Sequence, residues 1–169
     1  MGAEKSWSGM RKYLEEDMLA DSLKNRIRYF CTKFPGMDGG GLFRIFVDKK
    51  PVKDFSRETV EVDAYYAYDG EKPVDLRKRC KYRFDEVDNV PMNERREFED
   101  AEFASALYYY RHSDIFDSLY DEDPIVRMFA VLDRRVGKRT LISIKDEVSE
   151  QPEWLAFFYK LRLEAENIH

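Results

Sequence analysis

Apolar residues recur along this chain with two different periods, which predict helices at both ends and strands between them. Residues 6–20 show the helical period, and Ser6 precedes the first apolar position as an N-cap. We therefore predict an amphipathic helix at the N-terminus. Its apolar positions are Trp7, Met10, Leu14 and Met18.

A two-residue period replaces the helical period in residues 26–34 and again in residues 42–48, with one apolar face and one face that mixes polar and apolar residues. The two runs flank a glycine-rich loop at residues 35–41, which predicts an antiparallel hairpin. A second turn signal at residues 48–51 predicts a short third strand over residues 52–55, at the edge of the sheet.

The middle of the chain is less regular. A helix is predicted to begin after Ser56 and to run to Gly70, with a strand as the alternative because the segment is rich in β-branched and tyrosine residues. The following residues, 71–96, contain Pro73 and Pro91 and a basic cluster. They are predicted to form an irregular connection.

Helical spacing returns near residue 97 and continues to the C-terminus. Predicted helices cover residues 97–110, 114–120, 123–137 and 138–147, and a last helix starts at Pro152. Their apolar positions are Phe98, Ala101, Ser105 and Tyr108 in the first, Leu141, Ile144 and Val148 in the fourth, and Leu155, Phe158, Leu161 and Ala165 in the last.

The helix predicted over residues 123–137 has signals at both of its ends. Asp123 is a good N-cap, Pro124 suits the first helical position, and Gly137 suits a left-handed residue just past the end. One face is apolar, and Arg127 and Arg134 are predicted to lie on the opposite face. The apolar positions are Ile125, Phe129, Leu132 and Val136.

These elements predict an α+β fold in a single domain spanning residues 1–169. An N-terminal helix and a small antiparallel β-meander form the α+β part (residues 1–70). The irregular connection (residues 71–96) joins it to a C-terminal bundle of four to five helices (residues 97–169).

The amino-acid composition limits the classes of partner that the protein is expected to bind. The net charge of −5 disfavours general affinity for nucleic acid or an anionic membrane, and no apolar run is long enough to span a bilayer. Two cysteines make no disulfide framework, so we expect free thiols and a cytoplasmic protein. Eleven tyrosines are candidates for a binding surface, because tyrosine buries area while keeping a polar tip.

Catalytic and metal-binding motifs do not occur in the sequence. Only His112 and His169 are histidines, no cysteine pair has metal-ligand spacing, and no HExxH, GxSxG or P-loop pattern is present. The glycines at residues 39–41 lead into a predicted strand rather than a helix, which favours a hairpin loop over a phosphate site. We therefore predict no cofactor, no metal and no catalytic residue.

Three arrangements of basic residues are candidate surfaces for a partner or a nucleic acid. The first is the cluster at residues 77–84, where cations alternate with aromatic rings, although acidic residues follow at once. A solvated linker or edge strand is the favoured interpretation of this cluster. Its cations include Arg77, Lys78, Arg79 and Lys81.

The second candidate lies on the hairpin. If Ile27, Tyr29, Phe43 and Ile45 face the core, the other face combines arginine and phenylalanine, a pairing that can stack single-stranded RNA. The favoured alternative is a sheet covered on both faces. The residues of this second face are Arg28, Phe30, Arg44 and Phe46.

The third candidate is the arginine face of the predicted 123–137 helix, with Arg127 and Arg134. A helix, a glycine and a second helix carrying basic residues are similar to a helix-turn-helix at low resolution. The acidic balance of the chain argues against DNA binding. A solvated face that braces acidic neighbours is the favoured interpretation.

Three segments together resemble a known family. They are W-S-G-M-R-K-Y-L-E at residues 7–15, S-L-K-N-R-I-R-Y at residues 22–29, and P-I-V-R-M-F-A-V-L-D-R-R-V-G-K-R-T-L at residues 124–141. The resemblance is to small uncharacterised bacterial proteins that begin with W-S-x-[LM] and carry L-D-[RK]-R-x-G-K-R near the C-terminus. It implies a bacterial, cytoplasmic, single-domain protein, and it implies no activity or site residue.

The leading functional hypothesis is a non-enzymatic protein-interaction module, such as an adaptor, a regulator or an immunity-type protein, with another protein as its partner. It follows from the absence of catalytic motifs and from an acidic, tyrosine-rich composition. A nucleic-acid-binding protein that uses its arginine and aromatic residues is the alternative. An enzyme of unrecognised type is the third hypothesis, and it requires a concave pocket with convergent polar groups.

Overall fold

Within the residues that the structure describes, one helix precedes a three-stranded antiparallel sheet, a second helix follows the sheet, and five helices make up the C-terminal part. This computed structural model describes residues 6–34, 41–64, 68–69, 72–73 and 90–169. The helices of these residues are α1 (Trp7–Lys12), α2 (Arg57–Ala64), α3 (Asp100–His112), α4 (Ile115–Leu119), α5 (Pro124–Leu132), α6 (Lys138–Ile144) and α7 (Glu153–Ala165). The strands are β1 (Ile27–Cys31), β2 (Phe43–Val47), β3 (Lys50–Phe55), β4 (Tyr68–Asp69) and β5 (Lys72–Pro73). The predicted α+β class is confirmed.

The predicted β-meander is confirmed, with β2 between β1 and β3. Ile27 pairs with Val47, and Val47 pairs with Lys50 across a two-residue turn. Both turn residues, Asp48 and Lys49, have positive φ angles of 50° and 69°. This conformation matches the twist of the strands but is costly without glycine. It explains why β3 begins at Lys50, before the predicted start at residue 52.

The first helix is shorter than predicted. The Ser6 side chain accepts a hydrogen bond from the Gly9 amide, as expected for the N-cap. The α-helix ends at Lys12, however, and one wider turn of π-helix covers Tyr13–Asp17. A π-helical turn contains more residues than an α-helical turn. Glu15 faces inward in this turn and is 5% exposed.

The segment after the sheet is helical, which rules out the strand alternative for residues 57–64. Ser56 caps α2 by accepting a hydrogen bond from the Thr59 amide at 3.2 Å. The prediction that this helix continues to Gly70 is wrong, because Tyr68–Asp69 pairs with Lys72–Pro73 as a short ladder. In the predicted irregular connection, the structure describes a 3₁₀ turn at Met92–Glu94.

The helix predicted over residues 97–110 forms, but its buried face differs from the prediction. Glu99 and Glu102 make a capping box at the start of α3, so the helix begins at Asp100. Ser105 and Tyr108, both predicted to be apolar-face positions, are exposed. The buried residues of α3 are Asp100, Phe103, Ala106, Leu107 and Tyr110.

The segment predicted as one helix over residues 123–137 is divided. Asp123 caps the helix and Pro124 occupies its first turn, as predicted. The helix ends at Leu132, and Gly137 is the N-cap of α6 with an extended φ of −83° rather than a left-handed residue. All nine residues of α5 are buried, including Arg127, so α5 has no solvated arginine face.

The last two helical segments follow the prediction closely. Helix α6 ends at Ile144 and a 3₁₀ segment continues from Lys145 to Glu150, which places the predicted apolar residues Leu141, Ile144 and Val148 in the core. Pro152 precedes α7, whose residues Leu155, Phe158 and Leu161 are buried. Helix α5 lies at the centre, in contact with α3, α4 and α7.

Aromatic rings connect the sheet to the helices. Phe43 of β2 stacks on Phe103 of α3 with ring centroids 4.3 Å apart, and Phe103 contacts Phe129 of α5 at 5.3 Å. Tyr29 of β1 also lies 6.2 Å from Phe129. The buried face of the sheet, the one predicted to face the core, therefore shares its packing with α3 and α5.

A buried lysine makes a second connection between the two parts. The Lys53 ammonium lies 5.3 Å from the Trp154 ring of α7 and 5.7 Å from the rings of Phe55 and Phe98. It donates a hydrogen bond to the backbone carbonyl of Arg96. Such cation–π contacts are strongest away from water, and here they hold β3 against α7.

The turn after α5 is organised by Asp133, which is 1% exposed. Its carboxylate accepts hydrogen bonds from the Tyr110 hydroxyl at 2.5 Å and from the Arg135 guanidinium at 2.8 Å. The Arg162 guanidinium donates to the Asp133 backbone carbonyl at 2.9 Å. Burial, and then the Asp133 charge, raises the pKa of Tyr110.

The segment that follows the π-helix pairs with this turn. The Ala20 amide donates to the Leu132 carbonyl at 2.9 Å, and the Arg134 amide donates to the Met18 carbonyl at 2.8 Å. Leu19 and Asp133 form an antiparallel bridge. The N-terminal segment is thus attached to the C-terminal half by backbone hydrogen bonds.

Candidate binding surface

Four large aromatic side chains are exposed on α3, on α4 and just after α4. Their exposed fractions are 59% for Tyr108, 58% for Tyr109, 50% for Phe116 and 59% for Tyr120. We call these four residues the aromatic surface. Tyr108 and Tyr109 are ring neighbours at 5.9 Å, and Phe116 and Tyr120 are one turn apart, joined by a backbone hydrogen bond of 3.3 Å.

The aromatic surface is not required by the core. The opposite sides of the same helices already bury Phe103, Leu107 and Tyr110 in α3, and Ile115 and Leu119 in α4. Exposed rings of this size carry a free-energy cost in water that a bound partner removes.

A cavity of about 370 Å³ opens beside α4, between the α4–α5 connection, the 3₁₀ segment Lys145–Glu150 and α7. We call it the polar cavity. Tyr120 belongs both to it and to the aromatic surface. The lining residues are Asn93, Leu119, Tyr120, Asp121, Glu122, Arg127, Ile144, Glu147, Glu150, Gln151 and Tyr159.

Arg127 forms the base of the polar cavity and is 9% exposed. Its guanidinium donates to the backbone carbonyls of Asp121 at 2.8 Å and Glu122 at 3.1 Å, and to the side-chain oxygens of Asn93 at 2.5 Å and Gln151 at 3.3 Å. These acceptors are neutral, and Arg127 has no ion pair within the described part of the chain. Its donors are directed into the protein, so it acts as a clamp between segments.

The hydroxyl of Tyr159 lies near the same guanidinium. Burial raises the pKa of Tyr159 to about 12, and the Arg127 charge offsets only part of that rise. Tyr159 is therefore a neutral phenol at physiological pH. It offers the polar cavity one hydroxyl and one ring edge.

Four carboxylates line the polar cavity: Asp121, Glu122, Glu147 and Glu150. Among the residues described, none of them has an ion-pair partner. Buried or half-buried carboxylates such as Glu15, Asp54 and Asp133 are, in contrast, each paired with an arginine. Among the residues described, the cavity lining thus holds four negative charges against the one positive charge of Arg127.

Asp123 lies next to this group and caps α5. Burial raises its pKa to about 6, the Asp121 charge adds to that rise, and hydrogen bonds from the amides of Ile125 and Val126 oppose it. A carboxyl group with such a pKa beside a concave polar site is often functional. The hypothesis of an enzyme of unrecognised type stays a prediction.

The outer face of the hairpin is open rather than covered, contrary to the favoured expectation. Phe30 is 44% exposed and the Arg28 side chain is 51% exposed, while Arg44 and Phe46 are half-buried. Both arginines are paired: Arg28 with Glu15 at 3.0 Å, and Arg44 with Asp54 through two hydrogen bonds of 2.7 and 2.9 Å. Paired arginines attract phosphate less strongly than free ones.

The structure does not bring the predicted site residues together. Arg127 lies at the base of the polar cavity, Arg134 is exposed in the turn after α5, and the hairpin face belongs to the sheet. The basic cluster with Arg77, Lys78, Arg79 and Lys81 lies outside the described residues.

Sequence reasoning missed the polar cavity. Its lining comes from four separate stretches of the chain, and no local motif marks any of them. The expectation that tyrosines form a binding surface stays a prediction, and helical spacing alone placed Tyr108 on the wrong face of its helix.

Neither a metal centre nor a membrane span is found within the ranges that the structure describes. No group of three or more His, Cys, Asp or Glu side chains is placed to hold an ion there. No helix in those ranges is both long and apolar enough to cross a bilayer.

Comparison with known proteins gives one positive result. The model of the SF0329 protein family matches residues 6–163, which is nearly the whole chain. Comparisons with curated proteins and with solved structures give no match.

Proposed function

The chain belongs to the SF0329 protein family, and we propose that it is a protein-interaction module that binds a partner polypeptide across its aromatic surface. The observation that carries this proposal is the exposure of Tyr108, Tyr109, Phe116 and Tyr120 at half or more of their surface. Tyrosine and other aromatic residues supply most of the binding energy at many protein interfaces.

The energetic argument depends on where these rings lie. Each is attached to a helix whose other side is anchored in the core, so little conformational entropy is lost when a partner binds. Two tyrosines in contact, Tyr108 and Tyr109, present two ring faces and two hydroxyls at one point of α3. A partner that covers them gains both apolar burial and hydrogen bonds.

The test begins with capture of polypeptides from a bacterial lysate on the immobilised protein at several salt concentrations. Each captured polypeptide is then purified and its affinity measured by calorimetry against the wild type and against a Tyr108→Ser/Tyr109→Ser double variant. We expect the double variant to bind about tenfold to a hundredfold more weakly, as for loss of one or two hot-spot residues.

The control is Ile142→Ser, because Ile142 is exposed to a similar degree, 53%, but lies on α6. The control variant should bind as the wild type does. Capture of no polypeptide at any salt concentration, or equal affinities for all three proteins, would contradict the proposal.

One observation favours nucleic-acid binding as the second candidate. Phe30 is exposed on β1 and pairs directly with Arg44 on β2, so a ring and a guanidinium are neighbours on an open face. That hypothesis predicts binding of a labelled single-stranded RNA that weakens steeply with salt and is reduced by Phe30→Ser. A flat anisotropy titration at low salt would exclude it.

A further inference from the structure

Tyr120 belongs to both the polar cavity and the aromatic surface, so a polypeptide that contacts Tyr120 reaches the cavity mouth. We propose that the polar cavity receives the side chain of an arginine or lysine of that partner. This inference rests on the proposed function and names the chemistry of the partner.

The charges that line the polar cavity determine which sign of charge a ligand can carry. Its lining holds four carboxylates without ion-pair partners among the residues described, against the single guanidinium of Arg127. That guanidinium offsets one of the four negative charges, which leaves the lining with a net formal charge of −3 (four carboxylates against one guanidinium). An anionic ligand is therefore repelled, and a cationic one is favoured.

The arrangement of the carboxylates favours a side-chain cation over a metal ion. A bound divalent ion needs several oxygen ligands at about 2–2.6 Å from one point. No such group exists among the residues that the structure describes. Guanidinium and ammonium groups carry several N–H donors that point in different directions, so they can reach carboxylates on opposite walls of a cavity.

The remaining lining suits the apolar part of the same side chain. Tyr120 presents an exposed ring at the mouth, and Leu119 and Ile144 provide apolar contact deeper in the cavity. The methylene stem of arginine or lysine packs on such surfaces while its charged end stays with polar groups. A cation over the Tyr120 ring gains a further cation–π attraction.

The experiment uses Nα-acetyl-L-arginine amide as the probe and Nα-acetyl-L-glutamine amide as its uncharged counterpart. Each is titrated into the ¹⁵N-labelled full-length protein, and affinity is obtained from amide chemical shifts. We expect the arginine probe to shift the amides of residues 119–122 and 147–151, and the glutamine probe to leave them unmoved. Binding should weaken as salt is raised.

Two variants of equal net charge distinguish the effect of the cavity carboxylates from the effect of the protein's overall charge. Glu147→Gln/Glu150→Gln neutralises two carboxylates of the cavity, whereas Asp146→Asn/Glu153→Gln neutralises two exposed carboxylates outside the lining, one on the same 3₁₀ segment and one at the start of α7. We expect the first variant to bind the arginine probe roughly fivefold to tenfold more weakly. The second variant should bind it as the wild type does.

Three results would overturn the inference: no shifts with the arginine probe, equal shifts with the glutamine probe, or equal weakening in the two charge variants. None of them bears on the aromatic surface, whose own test depends on Tyr108 and Tyr109. Conversely, loss of the partner by the cavity variant with unchanged binding by the Tyr108→Ser/Tyr109→Ser variant would assign recognition to the cavity alone and contradict the proposed function.

Discussion

At the scale of single residues, the buried charged side chains lie where other groups of the protein form hydrogen bonds with them. Arg127 was predicted to lie on a solvated face, yet it is buried because two backbone carbonyls and two side-chain amides accept its hydrogen bonds. Asp133 is buried for the converse reason, since its carboxylate accepts donors from Tyr110 and Arg135. Buried charge is tolerated where such hydrogen bonds replace those of water.

The free-energy cost of burying a charged carboxylate can be tested at Asp123 by changing the pH. Its pKa is about 6 in the folded protein and near 3.8 in the unfolded chain. Between these two values the folded protein holds the proton more tightly, so its free energy of unfolding falls as pH rises from about 4 to about 6. Neutralising the carboxylate should therefore stabilise the protein at pH 7, by up to ~3 kcal/mol.

The variant for this test is Asp123→Asn, because asparagine keeps a side-chain oxygen for the Ile125 amide. Urea unfolding at pH 4 and pH 7 should show equal stability of variant and wild type at the lower pH and greater stability of the variant at the higher pH. Asp114→Asn is the control, since Asp114 also caps a helix but is exposed. A gain of the same size in both variants would contradict the assignment to burial.

At the scale of elements, helix starts were predictable because each is encoded within a few residues. Ser6, Asp114 and Asp123 cap their helices with side-chain oxygens, as the sequence indicates. Helix ends were less predictable. The N-terminal helix widens at Tyr13–Asp17, and α5 stops at Leu132, where Asp133 turns toward Tyr110. Both changes depend on tertiary partners that a local pattern does not contain.

Gly137 provides a test of the corrected boundary between α5 and α6. Its φ of −83° is available to any residue, and an added Cβ would meet no atom within 4 Å. Gly137→Asp should therefore stabilise the protein by ~0.5–1 kcal/mol, through an N-cap hydrogen bond to α6 and a less flexible unfolded chain.

The comparison variant is Gly137→Ala, which gains the entropic part but supplies no cap. Urea denaturation should rank the Asp variant above the Ala variant. If residues 123–137 formed one helix with a left-handed glycine at its end, both substitutions would be destabilising instead.

Helix α3 shows why spacing alone did not identify the buried face. Phe98, just before the helix, is buried as predicted, but within the helix a stripe through Tyr108 fits the spacing as well as one through Phe103 does. The sheet decides between them, because Phe43 stacks on Phe103. The choice that buries Phe103 also exposes Tyr108 and Tyr109, and it thereby creates part of the aromatic surface.

For the molecule as a whole, the order of helical and strand-like hydrophobic patterns along the chain was enough to predict the fold class. The same patterns did not predict the candidate site. The polar cavity combines Asn93, residues 119–127, residues 144–151 and Tyr159. These stretches meet only because α5 is central and α7 returns beside it. No pattern within any one stretch describes a wall of a cavity.

The shared aromatic core predicts that the molecule unfolds as one cooperative unit. Trp7 lies 5.7 Å from Phe43 of the sheet, and Trp154 lies 5.5 Å from Phe98 beside the helical part. Trp7→Phe and Trp154→Phe each leave one tryptophan as a local reporter. In each variant, the urea transition seen by tryptophan fluorescence should coincide with that seen by far-ultraviolet circular dichroism.

Separate transitions in either variant would mean that the N-terminal and C-terminal parts unfold independently. Phenylalanine is chosen because it keeps an aromatic ring in both positions, so that the packing between neighbouring rings is disturbed least.

The bridge between Leu19 and Asp133 has a consequence for how the chain is made. A ribosome releases the N-terminus first, but the partner of Leu19 is more than a hundred residues downstream. The segment around Leu19 therefore cannot form this bridge until α5 and the turn after it have left the ribosome. Until then Leu14 and Leu23, which are buried in the folded protein, stay exposed. The backbone hydrogen bonds of residues 18–20 therefore form only after residues 132–134 have been synthesised.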